Sequence, residues 1–279
     1  PVVLDLAQAE NKFNLFDFRI DWQQPVFWVV LLGGVFSNIV FYGTDQTVVQ
    51  RYITAKDLKA ARRSVWTNAL LVLPATLLFF SIGTLLFVYF KTNPTTLQPG
   101  LEANDAVFPW YIVSHLPQGV SGLLIAGVFA ASMSSLSSSM NSVATAYTTD
   151  FHQRFNWKGP ALRVARNSTL IVGVLGTLFA MLMATSDIKS LWDEFIRVVG
   201  LITGGLGGLF VLGMISRRAN ARGALTGLVA SVIVQFWVAA TEPVHLLLYT
   251  ATGFISCLLV GYVSSLLFDE SQRDEKLSI

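Results

Sequence analysis

Long, mostly apolar stretches, broken by short polar and charged ones, set the pattern of this 279-residue chain. Seven stretches stand out: 26–42, 65–90, 122–150, 168–185, 187–220, 223–240 and 245–268. Most meet the ~20 residues that a helix needs to cross a bilayer's hydrocarbon core. They are continuous rather than alternating, which predicts helices and not the strands of a barrel. Pro25 is well placed in the first turn of the first helix. That helix then carries Gly33-Gly34, Ser37-Asn38 and Gly43-Thr44-Asp45-Gln46. Glycines and polar groups so deep in a span predict a helix that bends or breaks and lines a cavity. A carboxylate at a span centre costs about 2.5–3.5 kcal/mol and tends to be functional. Asp45 therefore either lines that cavity or sits near the inner membrane surface and pairs with Arg51 or another helix. Pro74 predicts a kink in the second span, and a short helix is expected at 106–115 within a proline-rich loop.

The third stretch, GLLIAGVFAASMSSLSSSMNSVATAYTTD, has no charge before Asp150 yet is not greasy in its middle. Ser134, Ser138 and Ser142 repeat at four-residue spacing, as do Ala131, Ser135 and Ser139. On a helix these make two adjacent stripes of small side chains and hydroxyls. Two readings are open: close helix packing through small residues, or an oxygen-lined site for a hard cation. In the fifth span Asp193 and Arg197 stand four apart in the order that favours an ion pair. Gly200, Gly204 and Gly208 below them predict a tight packing face, with no Gly-Lys-Ser/Thr to make a phosphate loop.

Composition narrows the class. The chain is 53% hydrophobic and 13% charged, about half the charge of an ordinary soluble domain. It reads as an all-α integral membrane protein. A net charge of +2 is too small to imply nucleic acid, and one cysteine, Cys257, excludes an internal disulfide or a cysteine metal cluster. There is no nucleophile triad, paired-histidine ligand set or cofactor motif, so no enzyme is expected. His115, His152 and His245 lie in or beside loops, where solvation is expected. Lysine and arginine concentrate at 51–63, 151–166, 216–222 and the tail. By the positive-inside rule these are cytoplasmic and the chain starts outside. Trp22, Trp110 and Trp192 then fall at the outer interface, and Trp66 and Trp157 at the inner one.

The stretch Tyr42-Gly43-Thr44-Asp45-Gln46-Thr47-Val48-Val49-Gln50-Arg51-Tyr52, with Ala55-Lys56 and Ala61-Arg62-Arg63, resembles the sodium:solute symporter family. So does the serine-rich span through Asn141-Ser142-Val143-Ala144-Thr145 to Thr149-Asp150, and, more loosely, Phe210 to Met214 with Arg217-Arg218-Ala219-Asn220. The resemblance covers nearly the whole chain. It implies a LeuT-type fold of two inverted five-helix repeats plus extra helices. This chain would begin just before the sixth core helix: 1–24 an extracellular segment, 25–220 the second repeat, 221–268 two additional helices and 269–279 a cytoplasmic tail. The first repeat would be missing, leaving the N-terminal half of the same transporter as a partner.

The resemblance also implies sites. The main sodium position matches Ala131, through its carbonyl, and Ser134 and Ser135, through their hydroxyls. A second sodium, present in some members, matches Ser137 and Ser138. Substrate-lining positions match Asn38, Tyr42, Asp45 and Gln46. Two departures weigh against glucose. Leu71 stands where sugar carriers have a lysine, and their glutamine falls near Ile196, with Arg197 as the polar neighbour. The implied activity is sodium-coupled symport of a small organic solute or anion across the plasma membrane. Two other readings stay open: a seven-helix receptor, which shares the span count and the outside start, and a non-transporting membrane subunit.

Overall fold

The computed structural model describes residues 16–93, 104–186 and 190–267. The segment up to 15, the loop 94–103, residues 187–189 and the tail from 268 lie outside the described residues. Among the described residues the chain is helical throughout, and seven helices are long and apolar enough to cross a membrane. In chain order the α-helices are α1 (Phe27–Thr44), α2 (Gln46–Ile53), α3 (Leu58–Thr92), α4 (Val107–His115), α5 (Gln118–Tyr147), α6 (Ala161–Ala184), α7 (Leu191–Ile215), α8 (Ala221–Thr241) and α9 (Tyr249–Leu267). Large aliphatic and aromatic side chains stand exposed along them, as at Phe80, Leu123, Phe129 and Phe236. Such a surface suits a multi-pass protein with lipid around it, where apolar groups need no burial.

Local chemistry accounts for most boundaries. The first span breaks as its glycines and polar groups predict. Asp45 leaves the helical conformation (φ −71°, ψ 118°), closing α1 and opening α2. The basic segment after it is not the loop expected from its charge. Asp57 accepts from Ala60 N at 2.6 Å and caps α3, which begins at Leu58 and so carries Lys59, Arg62 and Arg63 in its first turns. Lysine, arginine and alanine are strong helix formers, and the cap lets them extend the span. α3 runs 35 residues, through Pro74, or about 52 Å at 1.5 Å per residue. At the start of α8, Asn220 Oδ1 accepts from Gly223 N at 2.7 Å.

The described residues divide into two compact units, one within 49–191 and the other within 16–48 and 192–267. In the first, α5 packs on α6. A Cβ on Gly173 would stand 3.2 Å from Met140 Sδ. Ser121 ties α5 to α4 by donating to Ile112 O at 2.7 Å. α5 ends in a π-helical turn, Thr148–Gln153. This turn folds His152 inward, where it is 5% exposed and shares a 3.1 Å hydrogen bond with Gly159 O. The expectation of a solvated histidine fails there, because the turn directs the ring back over its own loop. His115 stacks on Tyr111 with centroids 5.2 Å apart.

The second unit is built on the pair α8 and α9, with α1 also packed on α9. Glycines let its backbones meet. A Cβ on Gly204 would lie 2.6 Å from Thr250 O, one on Gly208 2.5 Å from Phe254 O, and one on Gly227 2.5 Å from Cys257 O. Gln235 spans this seam. Its Nε2 donates to Gly200 O (3.2 Å) and Tyr249 O (2.8 Å), and its Oε1 accepts from Thr252 (3.3 Å).

Candidate functional site

The serine-rich span is α5. Ala131, Ser134, Ser135 and Ser138 recur at i, i+3, i+4 and i+7, which places them on one helix face, and all four are exposed, as is Ser137. The hydroxyls divide into two kinds. Ser137 and Ser138 both donate to Ser134 O, at 2.9 and 3.0 Å. Hydroxyls of this kind fold back on their own helix. Ser134 and Ser135 do not, and among the described residues no hydrogen bond engages either hydroxyl. Along the Ser134–Ser138–Ser142 stripe, only Ser142 is buried. The face thus offers two uncommitted hydroxyls and, one turn earlier, the Ala131 carbonyl, whose second lone pair a helix bond leaves open. Neutral oxygens of this kind suit a hard monovalent cation. Among the described residues no group of three His, Cys, Asp or Glu is placed to hold a metal ion.

The four expected substrate-lining residues lie in the second unit, around the break in the first span. Asn38 is exposed and its Nδ2 donates to Gly34 O at 2.7 Å. Tyr42 is half-buried, with its ring edge-on to Phe41 at 5.5 Å. Gln46 is the exposed first residue of α2. Asp45 is half-buried, and its Oδ1 accepts from Thr47 N at 2.7 Å and Thr47 Oγ1 at 2.6 Å. It therefore caps α2. The cap has a signature that sequence reading passed over: Asp two residues before a Thr, at a helix start.

Arg197 has a partner that sequence spacing did not indicate. It pairs with Glu242, which sits in the left-handed region (φ 46°) just after α8, and also donates to Ala239 O at 3.5 Å. The expectation was Asp193, on its own helix. A cavity of about 460 Å³ adjoins this pair, and Asp193, Glu194 and His245 line it as well. The backbone N–H of His245 donates to Trp22 O at 2.7 Å and fixes the main chain there. Burial holds the imidazole below its ordinary pKa, with the Asp193 charge opposing. Leu71, at the position of the sugar-carrier lysine, is apolar and exposed on α3. Gln235 was also missed, although one amide in an otherwise apolar stretch is a signal of a buried interhelical bond.

Comparisons with known proteins bear on this arrangement. The profile of the Sodium:solute symporter family matches residues 3–231. The sodium/sialic acid symporter NanT of Aliivibrio fischeri is 34% identical over 274 residues, 97% of this chain and 54% of that protein. The sodium/sialic acid symporter SiaT of Proteus mirabilis is 34% identical over 271 residues, 96% and 54% of the two chains. The sodium-coupled monocarboxylate transporter 2 of Homo sapiens is 28% identical over 244 residues, 85% and 39%. A solved structure of a Na+-coupled sialic acid symporter, in a substrate-bound outward-open state, superposes with a TM-score of 0.83 at 32% identity. It covers 96% of this chain and 55% of that one. The chain spans about half the length of the sialic acid symporters it matches.

Proposed function

The chain belongs to the sodium:solute symporter family, and we propose that it works within a sodium-coupled symporter that moves a small organic solute or anion across the plasma membrane. The observation that carries this reading is the α5 face, where Ser134 and Ser135 keep free hydroxyls beside the Ala131 carbonyl. Three oxygens are too few for sodium. The reading therefore takes the remaining ligands to lie on residues of the longer relatives that this chain does not align with. Ser137 and Ser138, whose hydroxyls turn to Ser134 O, would need to rotate outward to serve a second ion. Asn38, Tyr42, Asp45 and Gln46 would line the solute path at the break between α1 and α2. Broken helices serve this purpose in secondary transporters, because their free backbone groups face the cavity. The sialic acid and monocarboxylate carriers among the relatives favour an acidic solute.

In the same reading, 25–220 forms the second repeat and 221–268 two additional helices, between an outer segment (1–24) and a cytoplasmic tail (269–279). The placement of lysine and arginine supports an outside start and an inside end.

Sodium-driven uptake of labelled sialic acid by the full-length protein in proteoliposomes tests the reading, with a short-chain monocarboxylate tested in parallel. Ser134→Ala and Ser135→Ala keep the small side chain and the helix. If one ligand is worth about 1.4 kcal/mol, each should raise the sodium concentration for half-maximal uptake by about tenfold. Ser139→Ala should change it little. If both variants keep wild-type sodium dependence, the assignment of the ion site is wrong. Uptake of the solute without a sodium gradient would overturn the coupling.

A further inference from the structure

We infer that the C-terminal end of α7, backed by α9, holds the headgroup of an anionic membrane phospholipid. A cavity of about 580 Å³ opens there. Leu212, Ile215 and Leu258 form its apolar wall, and Ser216, Arg217, Arg218 and Tyr262 its polar rim. Ile215 is 77% and Tyr262 41% exposed, so the cavity opens to the surroundings of the helices rather than to a closed core.

Charge decides the occupant. Between residues 195 and 268 the sequence has one acidic residue, Glu242. It lies beyond the far end of α8, a 21-residue helix about 31 Å long, and is paired with Arg197. Among the described residues Arg217 and Arg218 have no carboxylate partner. Two adjacent guanidiniums with no carboxylate partner among the described residues are suited to a phosphate, which the planar fork of arginine binds through two oxygens. The aliphatic wall adds a requirement that a free phosphate does not meet, since it can be covered only by a chain. Basic pockets of this kind at the helix ends of membrane proteins are lipid headgroup sites. The turn between α5 and α6 provides the comparison. It carries exposed Arg154 and Lys158, and the first turns of α6 carry exposed Arg163 and Arg166, so it is basic as well.

The test is lipid titration of the full-length protein in detergent, read by native mass spectrometry with dioleoylphosphatidylglycerol and dioleoylphosphatidylcholine. The wild-type protein should retain phosphatidylglycerol with an apparent affinity about tenfold higher. Arg217→Gln with Arg218→Gln should bring the two lipids level, and Arg217→Lys with Arg218→Lys should keep a preference. Arg154→Gln with Lys158→Gln should leave the preference as in the wild type, since general positive charge is not the cause. Equal binding of the two lipids by the wild type, or an unchanged preference in the double glutamine variant, would overturn the inference. So would competition by glycerol phosphate as effective as that by the lipid. The tail from 268 holds Asp269, Glu270, Asp274 and Glu275 and is the rival occupant. A preference that emerges only after removal of 268–279 would assign the cavity to the tail and overturn the lipid.

Discussion

Asp45 has two roles that substitution can separate, as a cap and as a side chain on the proposed solute path. Asp45→Ala removes the acceptor of two hydrogen bonds, from Thr47 N at 2.7 Å and Thr47 Oγ1 at 2.6 Å. The helix it opens has eight residues, below the ~12–15 at which an isolated helix becomes even marginal in water. Loss of an N-cap costs about 1 kcal/mol and up to about 2, so local opening should rise by a factor of about 5–30. Hydrogen exchange at the amides of Thr47 to Ile53 should quicken accordingly. Asp45→Asn keeps an oxygen acceptor, and asparagine caps as well as aspartate. It gives up the favourable charge at a helix start, about 0.3–1 kcal/mol, so exchange should quicken no more than about fivefold. Uptake assays on the same full-length variants then read the second role. An altered KM for solute in Asp45→Asn, with α2 intact, means that the carboxylate meets the solute or its ion. Wild-type exchange across α2 in Asp45→Ala would refute the cap, and wild-type uptake in Asp45→Asn would refute the lining role.

Two further outcomes follow from the second unit. Gly208→Ala would place a Cβ 2.5 Å from Phe254 O and 2.8 Å from Cys257 Cβ. Thermal unfolding in detergent should show a loss of about 1–3 kcal/mol from overpacking. Gly213→Ala meets nothing within 4 Å and should gain about 0.8–1 kcal/mol in helix propensity; equal stabilities would refute the seam. The fold holds His245 below its ordinary pKa by burial, so its contribution to stability is complete above about pH 6.5 and is lost as pH falls through the lowered folded value. Asp193, Glu194, Arg197 and Glu242 line the same cavity. The wild-type protein should therefore lose more thermal stability than His245→Gln between pH 7 and 5.5, and parallel losses would show that His245 is not the cause.

Much of the fold was legible because span length and continuous apolarity are properties of single segments. The break at Asp45 could be read from Gly43 to Gln46, and the α4 helix from the stretch at 106–115. Gly200, Gly204 and Gly208 announced a packing face by spacing alone, but not that Thr250, Phe254 and Cys257 on α9 would meet it. A row of small residues allows a close approach without naming the partner. The serines of α5 were visible as a ladder, while the split between Ser134–Ser135 and Ser137–Ser138 was not, because a hydroxyl's choice of acceptor is a rotamer choice.

The misreadings have the same origin. Arg197 had a plausible partner four residues back, yet its carboxylate comes from Glu242, 45 residues on, because the end of α8 brings it there. His152 looked solvated among charged neighbours, yet a π-helical turn brings it against Gly159 O. The charge of Lys59, Arg62 and Arg63 suggested a loop, while a cap from Asp57 and strong helix formers made it the start of α3. The sequence by itself determined where helices begin, how long they are and which stretches suit a bilayer, since those energies are set by neighbours within a turn or two. Only the tertiary structure decided which distant groups pair and which hydroxyls remain free, because those depend on contacts between segments that have no fixed relation along the chain.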